Sequence, residues 1–284
     1  MEKGIVLLVV ASLASAALGV PQMQFYVDRD NGFDENAVLA DGGAESSVRG
    51  AKKSWREDVS AYGWDAEAIS NWIAANGGMA AVQKVELFIM PKSDPLTGAA
   101  GIRVGAFYSQ NDWVEGDGTH YNWGSLNWSE GTGAATYSYA ETYWKWTDDT
   151  HTAKEVDTAL TKAWTDLAGN PLPPGGDNGF DDAPTTWNST NYFGQNGANA
   201  YSSVVVDMSL FEDLLDPDTT YARGLYLADM NNSAGNENWE VYMKEAGADK
   251  AAYLEVTVPE PATMLLLGLG GLGVLIRRKR QATA

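Results

Sequence analysis

Lys84-Val85-Glu86-Leu87-Phe88-Ile89-Met90 alternates apolar and other side chains and stops at Pro91. A period of two over six or seven residues predicts a β-strand with one buried face. Tyr253-Leu254-Glu255-Val256-Thr257-Val258 repeats the pattern near the other end of the chain. Between them lie further strand-like segments. Gly101 to Tyr108 carries Ile102, Val104, Ala106 and Tyr108, and Ser202 to Met208 contains Val204-Val205-Val206. Arg223 to Ala228 has Leu225 and Leu227, and Trp239 to Lys244 alternates again. Helical spacing is rarer. Asp65 to Ala75 places Ile69, Trp72 and Ile73 on one face, with Gly77-Gly78 as a stop. A second short helix is expected over Leu210 to Leu215, ending before Pro217. Many strands, long Gly-rich connections and few helices predict an all-β fold. The expected form is an antiparallel β-sandwich of jelly-roll type with one or two short helices.

Composition agrees and excludes several functions. The 284 residues are 44% apolar, enough for a packed core, and include 30 Gly, 11 Trp and 13 Tyr. Acidic residues number 38 against 19 basic ones. Without Lys3, the four cations near the C-terminus, Glu2 and Glu260, 14 basic and 36 acidic residues remain, a net charge near −22. Such a surface repels phosphate backbones, which argues against nucleic-acid partners. It serves solubility, and it also suits divalent cations. No cysteine is present, which excludes disulfides, thiolate zinc sites and a Cys nucleophile. The two histidines, His120 and His151, stand in polar surroundings. There is no Gly-x-Ser-x-Gly elbow, phosphate-binding Gly-Lys-Ser/Thr loop or His-Glu-x-x-His. Carboxylate pairs for glycoside hydrolysis abound, but composition singles out none. No catalytic residue is assigned.

The termini read as processing segments. Lys3, the apolar Ile5 to Leu13 and the small residues Ala14-Ser15-Ala16-Ala17 describe a signal peptide over residues 1–19. At the other end, Pro259-Glu260-Pro261 precedes an apolar run from Ala262 to Ile276, closed by Arg277-Arg278-Lys279-Arg280. Those 15 apolar residues reach roughly 22 Å as a helix, short of the ~30 Å hydrocarbon core. The cations can snorkel to headgroups and stay cytoplasmic by the positive-inside rule. Together, Val258-Pro259-Glu260-Pro261-Ala262-Thr263, the Gly268, Gly270, Gly271 and Gly273 spacing and the basic stop resemble the PEP-CTERM sorting signal. That resemblance implies recognition of Pro259, Glu260 and Pro261 by a membrane exosortase. It also implies a transient inner-membrane helix and delivery to the surface or matrix of a Gram-negative bacterium that makes exopolysaccharide. Signal peptidase would act at the first end, leaving a body over residues 20–258 ahead of a tail over 259–284.

Within the body, Asp30-Asn31-Gly32-Phe33-Asp34-Glu35 recurs as Asp177-Asn178-Gly179-Phe180-Asp181-Asp182. Asp, Asn and Gly favour turns, so each copy reads as a turn. The alternative is a calcium loop with Asp30, Asp34, Asp177 and Asp181 as ligands, although neither copy keeps the EF-hand spacing. Trp113, Tyr121, Trp123 and Trp128 cluster in a polar, Gly-rich stretch, followed by Trp144-Lys145-Trp146. These rings either cap the core or stack on sugars. The order of Val85–Met90, Ile102–Phe107, Trp113-Val114-Glu115-Gly116, Leu126-Asn127-Trp128 and Pro174-Gly175-Gly176-Asp177 is similar to the DNRLRE-type domain. Val204–Met208, Gly224–Leu227, Tyr242–Glu245 and Leu254–Val256 continue that order. This resemblance implies a sandwich related to carbohydrate-binding modules. The part before Ala80 departs from it, with no clear Leu-Arg-Phe-Asp strand. The expected function is a non-catalytic, polysaccharide-associated surface module. Trp113, Tyr121, Trp123 and Trp128 are its candidate contacts, and calcium is its one candidate cofactor. The alternatives are a self-assembling matrix protein and a polysaccharide-degrading enzyme.

Overall fold

A computed structural model describes residues 22–34, 43–44, 46–53, 56–92, 102–108, 113–115, 135, 139–141, 143–147, 154–165, 170–172, 198–216, 222–229 and 238–259. The expected signal helix, the membrane tail from Glu260 and most of the Pro-rich stretch Asp166 to Asn191 lie outside these residues. No helix among the described residues is long and apolar enough to cross a membrane.

The alternating segment Lys84 to Met90 forms β5 (Lys84–Ile89), and its counterpart near the other end forms β14 (Tyr253–Thr257). They pair antiparallel, with Leu254 opposite Leu87 and Val256 opposite Val85. β1 (Gln22–Tyr26) adds to the outer side of β14, and β11 (Ser202–Val205) to the outer side of β5. This first sheet therefore joins the two ends of the body, with Gln22 opposite Thr257.

A second antiparallel sheet is built from β13 (Asn238–Tyr242), β3 (Ser47–Lys53), β4 (Arg56–Gly63), β12 (Ala222–Asp229) and β6 (Ile102–Tyr108) in that order. β2 (Arg29–Asp34) pairs with the last part of β4, and two short antiparallel pairs stand apart, β7 (Tyr139–Glu141) with β10 (Lys162–Ala163) and β8 (Trp144–Trp146) with β9 (Lys154–Val156). One core joins the sheets: Val85, Leu87, Leu254 and Val256 of the first meet Tyr62, Val104, Leu225 and Leu227 of the second. Full burial of an aliphatic side chain of this size contributes about 1.5–3 kcal/mol. Helix α1 (Ala66–Ala75) adds Ile69 and Ile73, and α2 (Met208–Leu215) adds Leu210, Phe211 and Leu214. Asp65 caps α1 by accepting from Ala68 N at 2.8 Å. Among the described residues the main sheets are thus antiparallel, with two short helices, as expected.

The second sheet is covered on both faces. Leu225 and Leu227 point to the first core, whereas Tyr226 between them joins Phe33, Val59, Ala61, Trp113, Ala135 and Trp164 in a second core. Burial on both sides erases the period-two pattern, so β2 and β4 gave no clear strand signal before Gly63. Two boundaries also move. Asp207 takes the N-cap position of α2, so the strand stops at Val205 rather than Met208. β13 stops at Tyr242, and Lys244–Ala246 forms a 3-10 turn.

Asp30-Asn31-Gly32-Phe33-Asp34 is no turn; it is the body of β2, in register with Tyr62 to Asp58. Gly32 is there for space. A Cβ at that position would stand 2.5 Å from Val48 Cγ2. Asn31 and Phe33 face the second core, where Asn31 Nδ2 donates to the Ala135 carbonyl at 3.0 Å.

Candidate functional site

Two features combine chemistry with geometry. The first is the outward face of the first sheet. Register places Tyr26 beside Tyr253, and Tyr253 beside Phe88, in one row across β1, β14 and β5. Tyr201, just ahead of β11, packs edge-on against Tyr253. Ring centres are 5.3 Å apart for Tyr26–Tyr253, 4.7 Å for the parallel pair Phe88–Tyr253 and 5.0 Å for the edge-on pair Tyr201–Tyr253. Such cross-strand pairs each contribute about 0.2–1 kcal/mol to the sheet. Tyr253 is enclosed by its neighbours, while Tyr26 is 48% exposed. The adjacent row is polar: Gln24 donates to Glu255 at 3.2 Å, the Tyr26 hydroxyl donates to Gln24 Oε1 at 3.2 Å, and Glu86 pairs with Lys84 at 2.7 Å. Burial, then neighbouring rings and carboxylates, pushes the Tyr201 and Tyr253 hydroxyls up to about 12, so both remain O–H donors at neutral pH. Tyr201 gives its hydrogen to backbone carbonyls, with Ala251 O at 2.9 Å.

The second feature is a carboxylate cluster at the start of β2. One oxygen from each of Asp30, Glu115 and Glu245 lies within 4.8 Å of the other two. Asp30 is fully buried, Glu115 partly buried and Glu245 exposed. Glu115 Oε1 accepts from Asp30 N at 2.9 Å, and Asp30 Oδ2 accepts from Lys244 N at 2.8 Å. The Lys244 ammonium bonds Glu115 Oε2 and, at 2.8 Å, Glu245 Oε1. Asp30 Oδ1 is buried without a hydrogen-bond partner among the described residues. Burial pushes the Asp30 carboxyl well above the usual carboxylate range, and the charges of Glu245 and Glu115 add to this. Burial also raises Glu115, against the bonds from Asp30 N and Lys244. For Lys244, burial opposes the charge, but the bonds to Glu115 and Glu245 prevail and raise it.

The sequence-predicted residues divide as follows. Asp30 enters the cluster, while Asp34 stands four residues away at the far end of β2. Trp113, expected on a sugar-stacking face, is 1% exposed and sits in the second core with the Arg29 guanidinium 5.4 Å from its ring centre. That corrects the expectation for Trp113, because an enclosed ring presents no face to a polymer. Tyr121, Trp123, Trp128, Asp177 and Asp181 lie outside the described residues, as do His120 and His151. The aromatic row and the pair Lys244 and Glu245 went unrecognised in the sequence. For Phe88 a signal existed: the outward set of β5 is Lys84, Glu86 and Phe88, a large ring among charges.

Comparison with known proteins concerns the tail. No curated protein matches the chain. Residues 257–280 match the PEP-CTERM protein-sorting motif, a stretch that contains Pro259, Glu260, Pro261 and the basic run Arg277 to Arg280. The motif marks the chain as an exported protein that is processed at the membrane by an exosortase.

Proposed function

We propose that the body is a non-catalytic β-sandwich of the DNRLRE-like, carbohydrate-binding-module type. After exosortase sorting it associates with polysaccharide at the cell surface or in the extracellular matrix. The observation that carries this reading is the aromatic row on the outward face of the first sheet, where the half-exposed Tyr26 and the partly exposed Phe88 and Tyr201 surround the enclosed Tyr253. It crosses three adjacent strands, about 10 Å at the usual strand spacing of ~4.8 Å. Sugars carry apolar C–H patches that pack on aromatic surfaces, and the polar row of Gln24, Glu255 and Glu86 is placed to bond their hydroxyls. The position suits a tethered protein. The tail follows Thr257, and Tyr253 lies four residues back along β14, roughly 13 Å at ~3.3 Å per residue.

Affinity electrophoresis in gels containing neutral and acidic bacterial polysaccharides tests the proposal. Retardation of the wild type and its loss in Tyr26→Ala, with a melting temperature lowered by no more than about 4 °C, is the expected result. The half-exposed Tyr26 ring contributes little to the core, which makes it the informative position. No retardation in any gel, or equal retardation of wild type and Tyr26→Ala, refutes the assignment. Self-association in light scattering without retardation would transfer the reading to a structural matrix protein, and release of reducing ends would transfer it to an enzyme.

A further inference from the structure

We propose that Asp30, Glu115 and Glu245 form a calcium site in which the ion displaces the Lys244 ammonium. Calcium takes oxygen ligands at about 2.3–2.6 Å, so two of its ligand oxygens stand at most roughly 5 Å apart. The three carboxylates already meet that limit, each offering an oxygen within 4.8 Å of the others. A second observation points the same way. Asp30 is 0% exposed, and its Oδ1 has no hydrogen-bond partner among the described residues. Folding has placed a fully desolvated carboxylate oxygen beside two further carboxylates and given it nothing to bond, which is an arrangement completed by a cation.

Lys244 is the resident counter-ion. One ammonium serves three carboxylates, through direct bonds to Glu115 and Glu245. Its side chain is 25% exposed on a flexible four-carbon stem, so the charge can leave for solvent while the backbone N–H stays on Asp30. A divalent ion brings twice the charge and can bond all three carboxylates at once. Glu245, the exposed member, provides the entry side, and water completes the coordination there. The ligands differ from the set read off the sequence, because Asp34 lies four residues along β2, about 13 Å away at ~3.3 Å per residue. Three segments far apart in the chain would be tied together: β2, residues 113–115 and the turn Lys244–Ala246. The inference is independent of polysaccharide binding.

The test is calorimetric titration of the full chain with CaCl2 after EDTA treatment, with MgCl2 as a parallel arm and thermal melts alongside. Calcium should bind at one site. At a concentration 100-fold above Kd it should raise Tm by roughly 5–10 °C. Glu245→Gln, on the solvent side, should weaken calcium at least about tenfold by removing a ligand charge, with its own Tm in EDTA as the reference for its calcium shift. Lys244→Met should bind more tightly than wild type, since the competing charge is gone. Absence of both heat and Tm shift in wild type and Lys244→Met overturns the proposal. Binding that survives unchanged in Glu245→Gln also overturns it, because the ion would then sit elsewhere in this acidic chain. Unchanged or weaker binding by Lys244→Met overturns the displacement step.

Discussion

Replacement of Trp113 by Ala distinguishes a core residue from a ligand contact. The indole is 1% exposed and packs with Phe33, Val59, Ala61, Ala135, Trp164 and Tyr226. Truncating a buried Trp to Ala costs about 3–5 kcal/mol, because the lost transfer energy is joined by the cost of the cavity. Arg29 also loses the ring beneath its guanidinium, 5.4 Å from the centre, for about 0.5–1 kcal/mol more. The sum is a large share of the ~5–15 kcal/mol that holds a typical domain together. Urea titration followed by far-UV circular dichroism is the assay. The midpoint should fall steeply at constant m-value, and Tm should drop by roughly 10–15 °C. Trp113→Phe, which keeps an aromatic ring in the cluster, should lose less. A loss below about 1 kcal/mol in Trp113→Ala would refute the reasoning, since a core indole cannot be removed so cheaply. A selective loss of polysaccharide binding with intact stability would restore the stacking role that the sequence suggested.

Two further predictions concern β2. An acid whose folded-state pKa lies above its unfolded value binds more protons when folded, so its stabilising contribution is present below the unfolded pKa of about 4 and is lost as pH rises through the folded one. Asp30 is raised by burial, so wild-type stability in EDTA should decline above about pH 4 as its proton becomes harder to keep. Asp30→Asn carries no such proton and should lose less over that window. Urea midpoints that fall in parallel for both proteins would contradict this. Gly32→Ala sets a methyl group 2.5 Å from Val48 Cγ2 and should cost about 1–3 kcal/mol by overpacking. Val48→Ala in the same chain should recover part of that loss, and a strictly additive double mutant would show that the contact is not the cause.

Legibility in the sequence followed the number of buried faces. β5 and β14 were readable because one face meets the core and the other meets solvent, so burial writes an alternation into the residues. Helix α1 was readable because Asp65, the Ile69–Ile73 spacing and Gly77-Gly78 each state a local rule. β2 and β4 lie between two cores, and Asp30-Asn31-Gly32 carries turn-favouring residues for tertiary reasons: a buried cluster, a bond to Ala135 and close contact with Val48. Local propensity pointed to a turn, and long-range packing outweighed it.

The sequence by itself determined the mainly antiparallel β-structure, the acidic character of the body and the sorting address at Pro259-Glu260-Pro261. Each of these is written in contiguous residues, as a period, a composition or a linear motif that another protein reads. Only the tertiary structure decided which aromatics face outward and which carboxylates meet. Tyr26 and Tyr253 become neighbours because the first and last strands of the body pair. Asp30, Glu115 and Glu245 converge across separations of 85 and 130 residues because β2, residues 113–115 and the turn after β13 share one corner of the second sheet. The sorting signal must be legible in an extended chain, whereas a binding face exists only once distant strands have come into register.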